Sequence, residues 1–136
     1  MGSRRRAREA AVQILYEMDL SGMEVERAIA LFWSNLGASD GENEFGNQLV
    51  RGCASRQSSI DEAIRAVSEH WRLERMACVD RNIIRLAVFE LMTLPDVPRK
   101  VTLNEAVELA KRFGDESSPA FVNGVLDRIA SDLGKE

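Results

Sequence analysis

The sequence predicts an all-helical protein, an antiparallel assembly of about seven helices forming one domain or two tightly packed half-domains. Three observations carry this reading. Apolar residues recur at three- and four-residue spacing through most of the chain. No segment sustains the two-residue alternation of a half-buried strand between turn signals. The connections are short, which favours antiparallel packing of successive helices.

A first helix is expected from about Ser3 to Leu20, with Ala7, Ala11, Ile14, Leu15 and Met18 as its apolar stripe and Ser21-Gly22 as its stop. A second spans about Glu24 to Leu36, with Val25, Ala28, Ile29, Phe32 and Leu36 inward. Gly37 to Asn43 reads as a polar loop. A third, about Glu44 to Gln57, buries Phe45, Leu49 and Cys53, and Gly52 lets a neighbour approach closely. Ser59-Ile60-Asp61-Glu62 reads as a capping box that starts a fourth, whose stripe is Ile60, Ile64, Val67 and Trp71. Trp71 to Met76 is the expected boundary, dividing the chain into halves of about 1–72 and 73–136 within a single 1–136 unit.

The fifth helix, about Ala77 to Leu94, is apolar on most sides and should run through the centre, ending before Pro95 and Pro98. Thr102-Leu103-Asn104-Glu105 is a second capping box. The sixth helix then carries Ala106, Val107, Leu109, Ala110 and Phe113 to a stop at Gly114. Ser118-Pro119 places an N-cap before a proline in the first turn. The last helix follows with Phe121, Val122, Val125, Leu126, Ile129 and Leu133.

Composition excludes several function classes. With 136 residues, 45% of them hydrophobic and 29% charged, the chain needs neither a disulfide nor a metal to hold its core. No apolar run approaches the ~18 residues of a membrane span. Arginines follow Met-Gly-Ser without a signal-peptide core, so a cytoplasmic protein is expected. Cys53 and Cys78 lack a C-x-x-C or histidine partner and read as small hydrophobes. The single histidine, His70, falls at the end of the fourth helix, where it reads as a surface residue. Metal-ligand spacing and Gly-rich phosphate loops are lacking. No nucleophile has a base and an orienting group near it in sequence. No catalytic residue, metal or cofactor is expected.

The net charge of −4 argues against binding a polyanion, but its distribution reverses the argument. Arg4, Arg5, Arg6 and Arg8 supply four of 18 basic residues, leaving 14 basic against 22 acidic, a balance of −8, in the rest of the chain. An acidic body with one basic pole is the asymmetry of a polyanion site. Cations in the first turn of a helix oppose its dipole by about 0.3–1 kcal/mol each. Arg4 and Arg8 also repel across one turn. Such local violations mark functional places.

At about 100° per residue, Arg5, Val12, Gln13 and Tyr16 lie opposite the apolar stripe of this helix, with Arg8 at the edge. Tyr16, the only tyrosine, can stack an unpaired base while guanidinium groups hold phosphates. A contact with another helix is the alternative for Tyr16.

Several stretches together resemble the NusB family of bacterial transcription antitermination factors over essentially the whole chain. They are Arg4-Arg5-Arg6-Ala7-Arg8-Glu9 with Ala11-Val12-Gln13 and Leu15-Tyr16; Asp80-Arg81-Asn82-Ile83-Ile84-Arg85-Leu86-Ala87 with Phe89-Glu90-Leu91; Asp96-Val97-Pro98; Asn104 through Lys111; and Phe121-Val122-Asn123-Gly124-Val125-Leu126-Asp127. The resemblance implies a NusB-like bundle of two helical subdomains without catalysis. It implies binding to single-stranded boxA RNA of leader transcripts such as those of ribosomal RNA operons. A heterodimer with NusE, a small-subunit ribosomal protein, is also implied, and this pair loads onto RNA polymerase to suppress termination.

By the same match, Arg5, Arg6, Arg8, Gln13 and Tyr16 would contact RNA, with Arg4 in the same cluster. Ser117, Ser118, Phe121 and Asn123 would line the same surface. Asp80 and its neighbour Arg81 would face NusE. Family members often carry a basic residue where this chain has Ala120, and many an acidic one at Ser117. Phe121, Val122 and Val125 are open to a pure packing role, Gly124 to a close helix contact, and Asn123 to a structural hydrogen bond. The other reading of the whole is a helical protein-interaction module, a homodimer whose arginine face is occluded.

Overall fold

Helical periodicity becomes seven α-helices in the computed structural model, which describes residues 3–37, 44–68 and 72–135. They are α1 (Ser3–Ser21), α2 (Val25–Asn35), α3 (Glu44–Ser55), α4 (Gln57–Val67), α5 (Cys78–Thr93), α6 (Arg99–Phe113) and α7 (Ser118–Asp132), with a 3₁₀ turn at Leu73–Arg75. No strand occurs among the described residues. The expected loop over 38–43 lies outside them, as do His70 and Trp71.

The fifth helix is central for the reason its composition gives. Ile83, Ile84, Leu86, Ala87, Val88 and Leu91 are all buried, and α5 packs against α1, α3, α4, α6 and α7. A helix surrounded on several sides cannot show one narrow apolar stripe. The same crowding corrects the first helix: Val12, placed by the wheel on the solvent side, is 2% exposed. Helix α1 packs on α2, α3 and α5, so its buried arc is wider than its strongest stripe.

Helix starts depart most from the sequence reading. Helix α4 begins at Gln57, ahead of the Ser59 capping box, with Arg56 as an N-cap that makes no side-chain bond. Asp61 is instead buried and bonds Arg85. Helix α6 begins at Arg99 after Pro98, and Thr102, the expected cap, is buried inside it. For α2 the cap is Glu24, whose carboxylate accepts from the Glu26 and Arg27 amides. On that helix Leu36 is exposed rather than inward, while Trp33 is buried and donates from Nε1 to Asn47 Oδ1 at 2.9 Å.

Two glycines have opposite surroundings. A Cβ at Gly52 would strike the Phe89 ring, which is the close approach the sequence suggested. A Cβ on Gly124 meets nothing within 4 Å, so no neighbouring helix explains that glycine. Gly52→Ala is therefore expected to destabilise by about 1–3 kcal/mol through overpacking. Gly124→Ala should stabilise by up to about 1 kcal/mol, since alanine is the better residue in a helix interior. Urea midpoints of the two variants check both signs.

Candidate nucleic-acid interface

Helix α1 carries most of the expected site, and buried polar contacts to α5 set its orientation. Arg8 is 5% exposed and Glu90 only 2%. The guanidinium donates to that carboxylate twice, Nε to Oε2 at 2.9 Å and Nη2 to Oε1 at 2.8 Å. One helix end further on, Asp19 Oδ2 accepts from Arg81 Nε at 2.8 Å, Asn82 Nδ2 at 2.9 Å and Arg85 Nη1 at 3.2 Å. Burial pushes the Asp19 carboxyl up, but the bonds from Asn82 and Arg81 and the charges of Arg81 and Arg85 outweigh it and hold the group below its ordinary range.

This corrects the expected phosphate-binding set. Arg8 is withdrawn from it, because its donors are engaged in the interior and leaving Glu90 alone would strand a buried charge. The other three arginines stay exposed. The Arg4 guanidinium lies 4.4 Å from the Phe45 ring centroid, a contact that leaves its N–H edge available. Arg5 forms a two-bond pair with Glu105, at 3.2 and 2.9 Å. This hydrogen-bonded partner holds the Glu105 carboxyl below its usual range, against the opposing effect of burial. Arg6 engages no carboxylate among the described residues.

Further along α1, Gln13 is exposed and its Nε2 donates to Glu9 O at 3.1 Å. Tyr16 is half-buried rather than projecting from an open face. Gln13 and Tyr16 form part of the wall of a cleft of about 530 Å³ between α1 and α2, which Phe113 at the end of α6 helps to close. The basic edge is longer than the arginine run: Arg112 reaches Glu9 at 3.5 Å and its guanidinium lies 5.5 Å from the Phe113 ring centroid. Sequence reasoning missed Arg112, Phe45 and the α2 side of this cleft. The only available signal was an aromatic next to a cation in Arg112-Phe113.

The start of α7 is held by Asp115 rather than by Ser118. Asp115 Oδ1 accepts from the Ser117 amide and hydroxyl, both at 2.9 Å, and from the Ser118 amide at 3.2 Å. The Ser117 bonds, hydroxyl first, lower the Asp115 carboxyl against a slight opposing desolvation. Ser118 is 1% exposed and its Oγ accepts from the Asp115 amide. Ser118 is thereby removed from the expected contact surface. Ser117 and Asn123 are exposed, while Phe121 is half-buried against the core.

At the start of α5, Asp80 is 7% exposed and its Oδ1 has no hydrogen-bond partner among the described residues. Arg81 faces inward, donating to Asp19 and to the Leu73 and Met76 carbonyls. The Arg81 side chain keeps 16% of its surface exposed. Burial pushes the Cys53 thiol far above its ordinary range, and burial with the Asp19 charge raises Cys78, so neither is an activated thiolate.

A family model described as NusB family matches residues 5–131. The chain is 51% identical over 135 residues to the transcription antitermination protein NusB of Sorangium cellulosum, covering 99% of this chain and 96% of that protein. Its fold superposes on T. maritima NusB with a TM-score of 0.84 and 38% identity, covering 95% and 91% of the two chains. A further match, at TM-score 0.86 and 29% identity over 97% and 98% of the chains, is a chain in the crystal structure of antitermination factors NusB and NusE in complex with dsRNA.

The site geometry generates two stability predictions. Arg8→Met leaves the Glu90 charge buried and unpaired, so a loss of about 3–5 kcal/mol is expected. Replacing Glu90 by Leu in the same chain should recover most of it, as paired urea titrations will read. Asp19, Glu105 and Asp115 all have lowered pKa values. Their contribution is therefore complete above the unfolded carboxylate values of about 4 and is lost as pH falls through the folded ones. Asp19→Asn should flatten the acid limb of a stability-against-pH curve.

Proposed function

The chain belongs to the NusB family, and on that premise we propose that it is an RNA-binding transcription antitermination factor. It recognises single-stranded boxA-type leader RNA together with NusE, in the cytoplasm, and helps assemble an antitermination complex on RNA polymerase at ribosomal RNA operons. The family is one of transcription antitermination proteins rather than of enzymes.

One observation carries the RNA reading. The exposed guanidinium groups of Arg4, Arg5 and Arg6 lead along one helix to an amide and an aromatic ring, Gln13 and Tyr16, at the mouth of a cleft. Phosphates and bases are met by different ends of the same edge. Unpaired RNA fits better than a duplex, because Tyr16 can stack only on a base whose face is free. Ser117, Phe121 and Asn123 extend this surface on α7. NusE is assigned to the start of α5 on the family match of the stretch that opens with Asp80.

A second reading, a homodimer that hides the arginine edge, draws on the exposed Leu20 of α1, Leu31 of α2 and Leu36 beside α2. Sedimentation with and without RNA separates the two: a stable dimer that ignores RNA belongs to the second.

Three arginine–phosphate contacts give a single-strand salt slope of about −2.1, so affinity for a boxA RNA should fall roughly 20-fold between 50 and 200 mM salt. Arg6→Ala should make the slope shallower by about 0.7. Tyr16→Ala should cost about 1–3 kcal/mol of RNA affinity, and Tyr16→Phe much less. Filter binding across a salt series checks all three.

A further inference from the structure

We propose that the cleft between α1 and α2 seats one extruded nucleobase, with α2 as a base-reading element; this rests on the RNA-binding reading above. The Tyr16 ring is half-buried in a cleft wall rather than lying on an open face. Any base that stacks on it has to enter the cleft.

The cleft's chemistry matches such an occupant. Its volume, about 530 Å³, falls within the range of small-molecule pockets, roughly 300–1,000 Å³. Tyr16, Phe32 and Phe113 supply aromatic surface, and Gln13, Asn35 and Glu17 supply hydrogen-bond donors and acceptors. No cation is among the lining residues and one carboxylate is, so a phosphate is disfavoured inside. What fits is flat, uncharged and edged with polar groups. A nucleobase has that form, and both carboxamides can pair with its edge.

The charge needed to hold the attached backbone lies just outside. Arg112 stands over Phe113 at the rim and reaches Glu9, one turn before Gln13 on α1. The sugar–phosphate strand would therefore run past Arg112 while its base turns inward. Leu31, 42% exposed, sits on the lip of the cleft.

The test uses the full chain and a short single-stranded boxA RNA in which each nucleotide in turn is made abasic. Leu31→Trp fills the cleft from its exposed lip, and Asn35→Ala removes one reading group without touching the core. At one abasic position the native protein should lose affinity about tenfold. Leu31→Trp should lose about as much on intact RNA, keep the native salt slope, and lose nothing further on the abasic RNA. Asn35→Ala should show a smaller loss with altered base preference at that position. Unchanged affinity of both variants, with native protein still binding RNA in a salt-dependent way, overturns the base pocket and leaves the RNA reading standing. So does a Leu31→Trp effect confined to self-association. Native protein that binds no RNA at all overturns both.

Discussion

The pairing of α1 with α5 through Arg8 and Glu90 is the constraint on which the site depends. Both groups are almost fully buried, and each offsets the charge that the other brings into the interior. Buried pairs of this kind contribute little net stability compared with apolar residues of the same shape. Their use is geometric. A carboxylate and a guanidinium meeting through two bonds admit one rotation and one axial position of α1. Near its other end, the Asp19 cluster with Arg81, Asn82 and Arg85 fixes α1 to the opposite end of α5. Two anchors about three turns apart leave the helix no freedom to roll. The direction in which Arg5, Arg6, Gln13 and Tyr16 face follows from that.

Seen this way, the arginine cluster is not a uniform basic patch. Its members divide by helical position into one that locks the fold, one stacked on Phe45, one paired with Glu105 and one unpaired among the described residues. The unfavourable charge at the helix start is thus partly relieved inside the molecule. Glu105 and Glu9 hold Arg5 and Arg112 in place along the edge. Exposed pairs of this sort are weak, so a phosphate can take a carboxylate's position with little loss. The acidic body does not exclude a polyanion, because the field near the edge is set by the closest charges once salt screens the rest.

The helices were legible because their apolar periodicity reports burial directly, and α5 could be placed at the centre by its near-uniform apolarity. Helix starts were less legible. The motifs at Ser59 and Thr102 have the right residues for capping boxes, yet Arg56 and Pro98 begin those helices first. A local motif competes with its neighbours, and the winner depends on packing that spacing alone does not contain. Val12 was misplaced for a related reason: a wheel averages one face, whereas α1 has three helices around it. At the site, charge marks all four arginines alike and the wheel sets Arg8 only at the edge of the polar face, because the partner that buries it is Glu90, 82 residues away.

The Tyr16 environment links these threads. A tyrosine on a flat cationic face would stack on whatever base passed, with little discrimination. Half-buried in a cleft with carboxamides and a carboxylate in its walls, the same ring would act only on a base that has left its neighbours and entered. Extrusion loses stacking within the strand, which aromatic contacts inside the cleft restore, so the net gain depends on how well the base edge pairs there. The proposed phosphate contacts along α1 and α6 would be indifferent to sequence and supply attraction; the cleft is where a choice between nucleotides would be made. Specificity in such a protein would reside in the cleft, to which α2, an element with no basic cluster and no motif to draw attention in the sequence, lends Leu31, Phe32 and Asn35.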